Sequence, residues 1–294
     1  MSAVPLEIQV ARVLLMKGRP YLATAVWALQ PVATTAPEVA GTLAVDKYWR
    51  LYYDAAALPK WTPEQLYGVL YHELHHLLRV HHQRASNLIG EPGDDPAENI
   101  ELASKMRIAN LAEDCEINDD LEEEKIKLPG DYCTPAKFNL PPNDLWENYY
   151  AKLLKGAKVQ HFSICGKGGC GSCADGKPRA YELAPGDKDA PGISAAESEL
   201  VIRKTAADVQ EHARSRGTVP ASLKRWADDL LNPQVPWQRL LASAVRRSLW
   251  FAVNCRTRGF SRTPAACRPS SRATKWMCAQ DQRTRCPKLP SYGA

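Results

Sequence analysis

Residues 71–82 read YHELHHLLRVHH and gather five of the chain's seven histidines around a single glutamate. Within this stretch His72, Glu73 and His76 form an H-E-x-x-H motif. Histidines at i and i+4 stand about 40° apart around an α-helix, so both imidazoles reach one metal ion from one face. Glu73 lies beside them, where it can take a proton from a water acidified by the metal. The chemistry this spacing serves is hydrolysis. A polar helix that is merely rich in histidine offers the same letters, and the helical context favours the metal reading.

The other histidines of the stretch need their own placement. On a continuous helix His75 and His82 fall on a different side from His72 and His76, and His81 is nearly opposite, which puts these three in solvent or behind the ligands. His72, Glu73, His76 and His82 also fit the longer pattern H-E-x-x-H-x-x-G-x-x-H, in which the last histidine is a ligand. That version needs glycine for a sharp turn where this chain has Arg79. A carboxylate from another helix is the better third ligand. In IANLAEDCEIND, residues 108–119, Asn110, Asp114 and Asn118 recur every four residues and share one face, so amides flank the Asp114 carboxylate one turn away on each side. Such neighbours orient metal ligands by hydrogen bonding. Asp114 is the expected third ligand, with Glu113 or His82 in reserve, and most other acids of this helix are expected in solvent.

These residues need elements to hold them. Thr62 reads as an N-cap, with Pro63 at the first helical position and Gln65 completing a capping box, for a helix over residues 63–82. Asp95 and Pro96 open a second long helix running through NIELASKMRIANLAEDCEINDDLEEE. Ahead of both, LEIQVARVLLMKGRPYLATAVWAL reads as one helix or two divided at Gly18, and TLAVDKYWRLYYD alternates as a strand or hairpin does. After a Pro-rich connection, further helices are expected in WENYYAKLLKG, SAAESELVIRKTAADVQEHARSRG, PASLKRWADDLLN and PWQRLLASAVRRSLWFAVN. The fold class is α+β and mostly helical, with the active-site helix beside a small sheet or hairpin. Residues 1–150 form the domain of the H-E-x-x-H helix, 151–190 a Gly/Cys-rich loop, 191–254 a helical extension and 255–294 a basic, disordered tail.

Composition narrows the function classes. No apolar run reaches the roughly 18–20 residues of a membrane span, and the N-terminus carries Glu7 without a basic lead-in, unlike a secretion signal. A cytoplasmic setting follows, with the nine cysteines as thiols or metal ligands and not disulfides. Within the Gly/Cys loop, His161, Cys165, Cys170 and Cys173 offer four donors in thirteen residues, a possible second, structural zinc site whose alternative is a flexible loop of free thiols. The overall charge is +5, but residues from Cys255 onward carry nine Lys or Arg against one acid, a net +8 that leaves −3 for the rest. Nucleic-acid binding is therefore expected only as weak, salt-sensitive contact by the tail. The tail's abrupt change of composition reads either as native or as the product of a shifted reading frame.

The order of a strand, a T-P-E-Q-L helix with H-E-x-x-H, and N-x-A-x-D-x-x-I-N (Asn110, Ala112, Asp114, Ile117, Asn118) resembles the putative metallopeptidase domain of bacteria and phages, over about residues 5–250. The resemblance implies a zincin-like helix with His72 and His76 as zinc ligands, Glu73 as catalytic acid/base and Asp114 as third ligand. It implies a protein or peptide substrate; in that family the domain usually precedes a von Willebrand factor A-like domain, and a MoxR-type AAA ATPase, often encoded nearby, is the implied partner. The residues after the resemblance carry neither a D-x-S-G-S motif nor an α/β pattern, so the von Willebrand factor A-like half is expected to be missing. A zinc-dependent metallopeptidase is the expected activity; the alternative is a zinc-stabilised interaction module that works with the ATPase and cleaves nothing.

Overall fold

The computed structural model describes residues 4–91, 93–156 and 170–232, together with the single positions 241 and 245. The chain divides into two units, Met1–Pro233 and Gln234–Ala294, and every helix and strand with described bounds lies in the first. The expected helix in PWQRLLASAVRRSLWFAVN, apart from Leu241 and Val245, and the expected disordered tail lie outside the described residues.

The first unit is a mostly helical α+β fold with one three-stranded sheet. The N-terminal apolar stretch forms two helices, α1 (Leu6–Gly18) and α2 (Ala23–Ala28), with a 3-10 turn between them. Strand β1 (Gln30–Ala33) follows, then the hairpin of β2 (Leu43–Val45) and β3 (Arg50–Tyr53). β3 is central, antiparallel to β2 with Leu43 opposite Tyr53, and parallel to β1 with Gln30 opposite Arg50. β1 does not announce itself in the sequence, because QPVA contains a proline that reads as a break; as an edge strand it tolerates one.

The hairpin turn is built by Asp46, whose Oδ1 accepts the amides of Tyr48 (2.9 Å) and Arg50 (3.0 Å). Its Oδ2 receives Arg50 Nη1 (3.1 Å) and the Tyr52 hydroxyl (2.9 Å). The remaining guanidinium hydrogens of Arg50 go to the carbonyls of Leu183, Ala184, Ala190 and Pro191. One fully buried cation thus fastens residues 183–191 onto the sheet.

The H-E-x-x-H helix, α3 (Pro63–Leu78), starts at the capping box: Gln65 N donates to Thr62 Oγ1 (3.2 Å) and Thr62 N to Gln65 Oε1 (3.0 Å). Twelve of its sixteen residues are buried, so it is a core helix with no solvent face along its second half. Gly68 is required there, since a Cβ would meet the Lys127 carbonyl oxygen at 2.3 Å. The helix does not reach His82. It ends at Leu78, Val80 takes the left-handed conformation (φ 51°, ψ 44°), and α4 (His81–Ile89) departs in a new direction. The sharp turn is made one residue later than the glycine pattern places it, and without glycine. Arg79 holds it, donating to Glu116 (2.7 Å) and to Asp120 on α5 (Pro96–Glu123).

α5 begins as expected, with the Asp95 side chain accepting from Ala97 N (2.8 Å). α6 (Trp146–Gly156) packs along it, and a short α7 (Ser172–Asp175) lies against α4 and α3. α8 (Ala195–Arg216) opens with a second capping box, Ser194 with Glu197, and pairs with α9 (Ala221–Leu231). One core joins α1, α2, the sheet, α3, α8 and α9, and a second lies between α5 and α6. Between these cores, α3 and α5 face one another with their polar residues. No helix among the described residues is long and apolar enough to cross a membrane.

Arg50→Met strips Asp46 and four carbonyls of their shared donor while leaving the apolar packing in place. We expect a loss of about 3–5 kcal/mol of unfolding free energy, the usual cost of a buried charge left without its partner. Urea denaturation of the variant checks this, and a loss below about 1 kcal/mol would refute the assignment.

Candidate metal centre

α3 sends His72 and His76 toward α5, which answers with Asp114. His72 Nε2 and His76 Nε2 are 3.2 Å apart, and Asp114 Oδ1 is 3.2 Å from His76 Nε2 and 3.5 Å from His72 Nε2. The segment before α7 adds Cys170, whose Sγ is 3.6 Å from His72 Nε2 and 3.5 Å from Asp114 Oδ1. All four side chains are buried, and their donor atoms lie within 4.8 Å of one another. Zinc–nitrogen and zinc–oxygen bonds of about 2.0–2.2 Å and zinc–sulfur bonds of about 2.3 Å place the corners of a tetrahedron roughly 3.3–3.6 Å apart. The observed separations match that figure. The donor set, two imidazoles, a carboxylate and a thiol, is also one that zinc accepts.

The tautomer of His72 is set from behind. Its Nδ1 lies 2.8 Å from Asn118 Oδ1, and Asn118 Nδ2 in turn donates to the Cys133 carbonyl (2.8 Å). Because the amide nitrogen is engaged by a carbonyl, the amide oxygen must accept from Nδ1–H, which leaves the Nε2 lone pair facing the cluster. Asn110, on the other side of Asp114, leaves its buried Oδ1 without a hydrogen bond among the described residues.

Behind His76 stands a second buried group. His76 Nδ1 is 3.0 Å from His81 Nδ1, and Glu113 Oε2 is 3.9 Å from both. The helix break at residues 79–80 makes this possible by turning His81 back toward His76, a contact that a continuous helix forbids. His81 and His75 are therefore buried and not in solvent. His75 packs edge-on against Tyr71 at 4.5 Å. His82 lies apart from the cluster, with its Cβ against Gly176 beyond the end of α7.

Glu73 is buried alongside the four donors, with Oε2 unpartnered among the described residues. Burial drives its carboxyl pKa up to about 8; Asp114 adds to the rise, while His72, the Cys170 thiol and the backbone of Val45 oppose it. Burial also brings His76 down to about 4 against the pull of Asp114. Asp114 goes the other way: burial favours its neutral form, but hydrogen bonds and charge from His72 and His76 hold it far below the ordinary carboxylate range. Two carboxylates on adjoining elements are thus driven apart, one to stay ionised and one to exchange a proton near neutrality. Glu113, too, is pushed well above its usual value, by burial and by Asp114, and neither of its oxygens has a hydrogen bond among the described residues. Buried polar atoms left without hydrogen bonds in such number fit a site built around a cation.

Of the four donors grouped in the Gly/Cys loop, His161 and Cys165 lie outside the described residues. Cys173 is buried with its thiol on the Cys170 carbonyl (2.7 Å), and Cys170 stands with the histidines of α3. Sequence spacing could not reveal this, since Cys170 is 98 residues from His72 and 56 from Asp114. Cys115, Cys170 and Cys173 are free, whereas Cys133 is disulfide-bonded and departs from the expectation of thiols or metal ligands, because compartment reasoning carries no information about which cysteines meet in space.

Replacing Asn118 by Leu removes the acceptor that fixes the His72 tautomer while filling similar volume. Metal affinity is expected to fall roughly 10–100-fold, as for other lost outer partners of a ligand, with the circular dichroism spectrum retained. Competition against a chromogenic chelator measures it, and unchanged affinity would contradict the orientation argument.

No curated protein and no solved structure matches the chain. A family model described as a putative metallopeptidase domain matches residues 4–272. With its buried His/Asp/Cys cluster and a match over most of its length, the chain belongs to the putative metallopeptidase domain family.

Proposed function

We propose that the chain is a zinc-dependent hydrolase of peptide bonds, in which His72, His76 and Asp114 hold the metal and Glu73 is the general base. The observation that carries this reading is the position of Glu73: buried beside three convergent donors, with one carboxylate oxygen unpartnered among the described residues. When bound, the zinc ion supplies Lewis acidity that polarises the scissile carbonyl and acidifies water. Glu73 takes the proton from the attacking water and delivers it to the departing amine, and its raised pKa suits a group that must both accept and return a proton. Asp114, kept ionised, would offset part of the positive charge of an ion held by the two neutral imidazoles. Asn118 keeps His72 facing inward.

A second reading has its own support. Cys170 supplies a fourth donor, and four protein ligands are the mark of structural zinc sites. In that reading the domain is a zinc-stabilised interaction module serving an AAA ATPase.

Metal content and cleavage separate the two. The full chain is expected to hold about one zinc at this site by elemental mass spectrometry, and Asp114→Ala to lose most of it. Glu73→Gln should keep the metal and lose roughly 10²–10⁴-fold in cleavage of a broad peptide library. Equal cleavage by Glu73→Gln and wild type at equal zinc content would end the enzyme reading, and zinc-loaded wild type that cleaves nothing would favour the interaction module.

A further inference from the structure

Cys170 has a role that three ligands and a base leave unassigned. Its thiol sits within 3.5–3.6 Å of Asp114 Oδ1 and His72 Nε2, the separations of neighbouring corners in one coordination shell. It is also held there firmly. Gly171, at φ +74°, presses so closely on β2 that a Cβ would meet the Val45 carbonyl oxygen at 2.3 Å. Ser172 N donates to Glu182 Oε1 (2.7 Å), Lys47 N to Ser172 Oγ (3.4 Å) and Arg179 Nη2 to the Gly171 carbonyl (3.3 Å). Arg179 also pairs with Asp175 at 3.1 Å, so residues 170–182 form a strap tied at several points across the end of β2. The strap reaches the base as well as the ligands, since Val45 touches both Gly171 and Glu73.

Resting on the zinc site of His72, His76 and Asp114, we propose that Cys170 is the fourth donor to that metal and that the strap of residues 170–182 keeps the site closed. Hydrolysis then requires the thiolate to leave, because a catalytic zinc needs a position free for water or substrate. The enzyme and the structural module become two states of one molecule. With Cys170 in place the metal is structural and latent, and with the strap lifted the same three ligands and Glu73 face an open position.

The test uses the full chain, freed of metal by a chelator and loaded with cobalt(II), whose spectrum reports its ligands. Wild type should show a thiolate-to-cobalt charge-transfer band in the near-ultraviolet, lost in Cys170→Ser and kept in Cys173→Ser. Cobalt affinity in Cys170→Ser should drop by at least the 10–100-fold typical of weaker perturbations. Azide, a small anion that takes any open position, should leave the wild-type visible spectrum unchanged and shift that of Cys170→Ser. Wild-type protein that binds cobalt without the charge-transfer band, or that responds to azide, overturns the closed site and leaves the three-ligand reading standing. Wild type that binds no cobalt overturns the metal reading and this proposal together. Both decisive measurements are made on wild type, so a misfolded variant does not blunt them.

Discussion

Two imidazole nitrogens, a carboxylate oxygen and a sulfur point at one another in a buried cluster at little more than van der Waals separation. Each of these atoms carries a lone pair or a negative charge, and desolvated like charges repel strongly. Only a proton or a cation at the centre reconciles them. Much of the surrounding structure can be understood as the means of forcing this meeting: a buried helix that starts at a fixed cap, a second long helix laid across it, and a strap that brings in the sulfur. The apolar cores on either side keep the donors largely away from solvent.

The join between α3 and α5 is made by charge as well as by packing. Arg79 donates to Glu116 and Asp120, and the other carboxylate oxygen of Glu116 accepts the Trp146 amide at the start of α6. One acid therefore ties the end of the H-E-x-x-H helix to two others. Buried ion pairs of this kind contribute modestly to net stability, because desolvation offsets most of the attraction, but removing one partner is costly. Their effect here is to fix the angle at which α3 stops, and with it the distance between His76 and His81.

What could be read from the sequence divides along a physical line. The proximity of His72, Glu73 and His76 follows from the period of one helix, and the nomination of Asp114 from amides one turn away on another, since both are local regularities. The capping box at Thr62 and the long α5 were legible for the same reason. Cys170 was not, because its approach to His72 is a property of the tertiary fold with no trace in spacing. Nor was the break after Leu78: LLRVHH continues the apolar helical period, and the interactions that stop the helix lie on α5. Strand β1 was hidden by a proline that an edge position permits.

Val80 shows where such a bend is really encoded. A β-branched residue in the left-handed region costs on the order of 1–3 kcal/mol, and glycine or asparagine would sit there more easily. The bend is made in spite of its own residue, by ion pairs and buried histidines that outweigh the local penalty. Position 80 is consequently not where the corner is specified: its valine contributes packing on the main core while its backbone bears the strain that Arg79 and the acids of α5 impose.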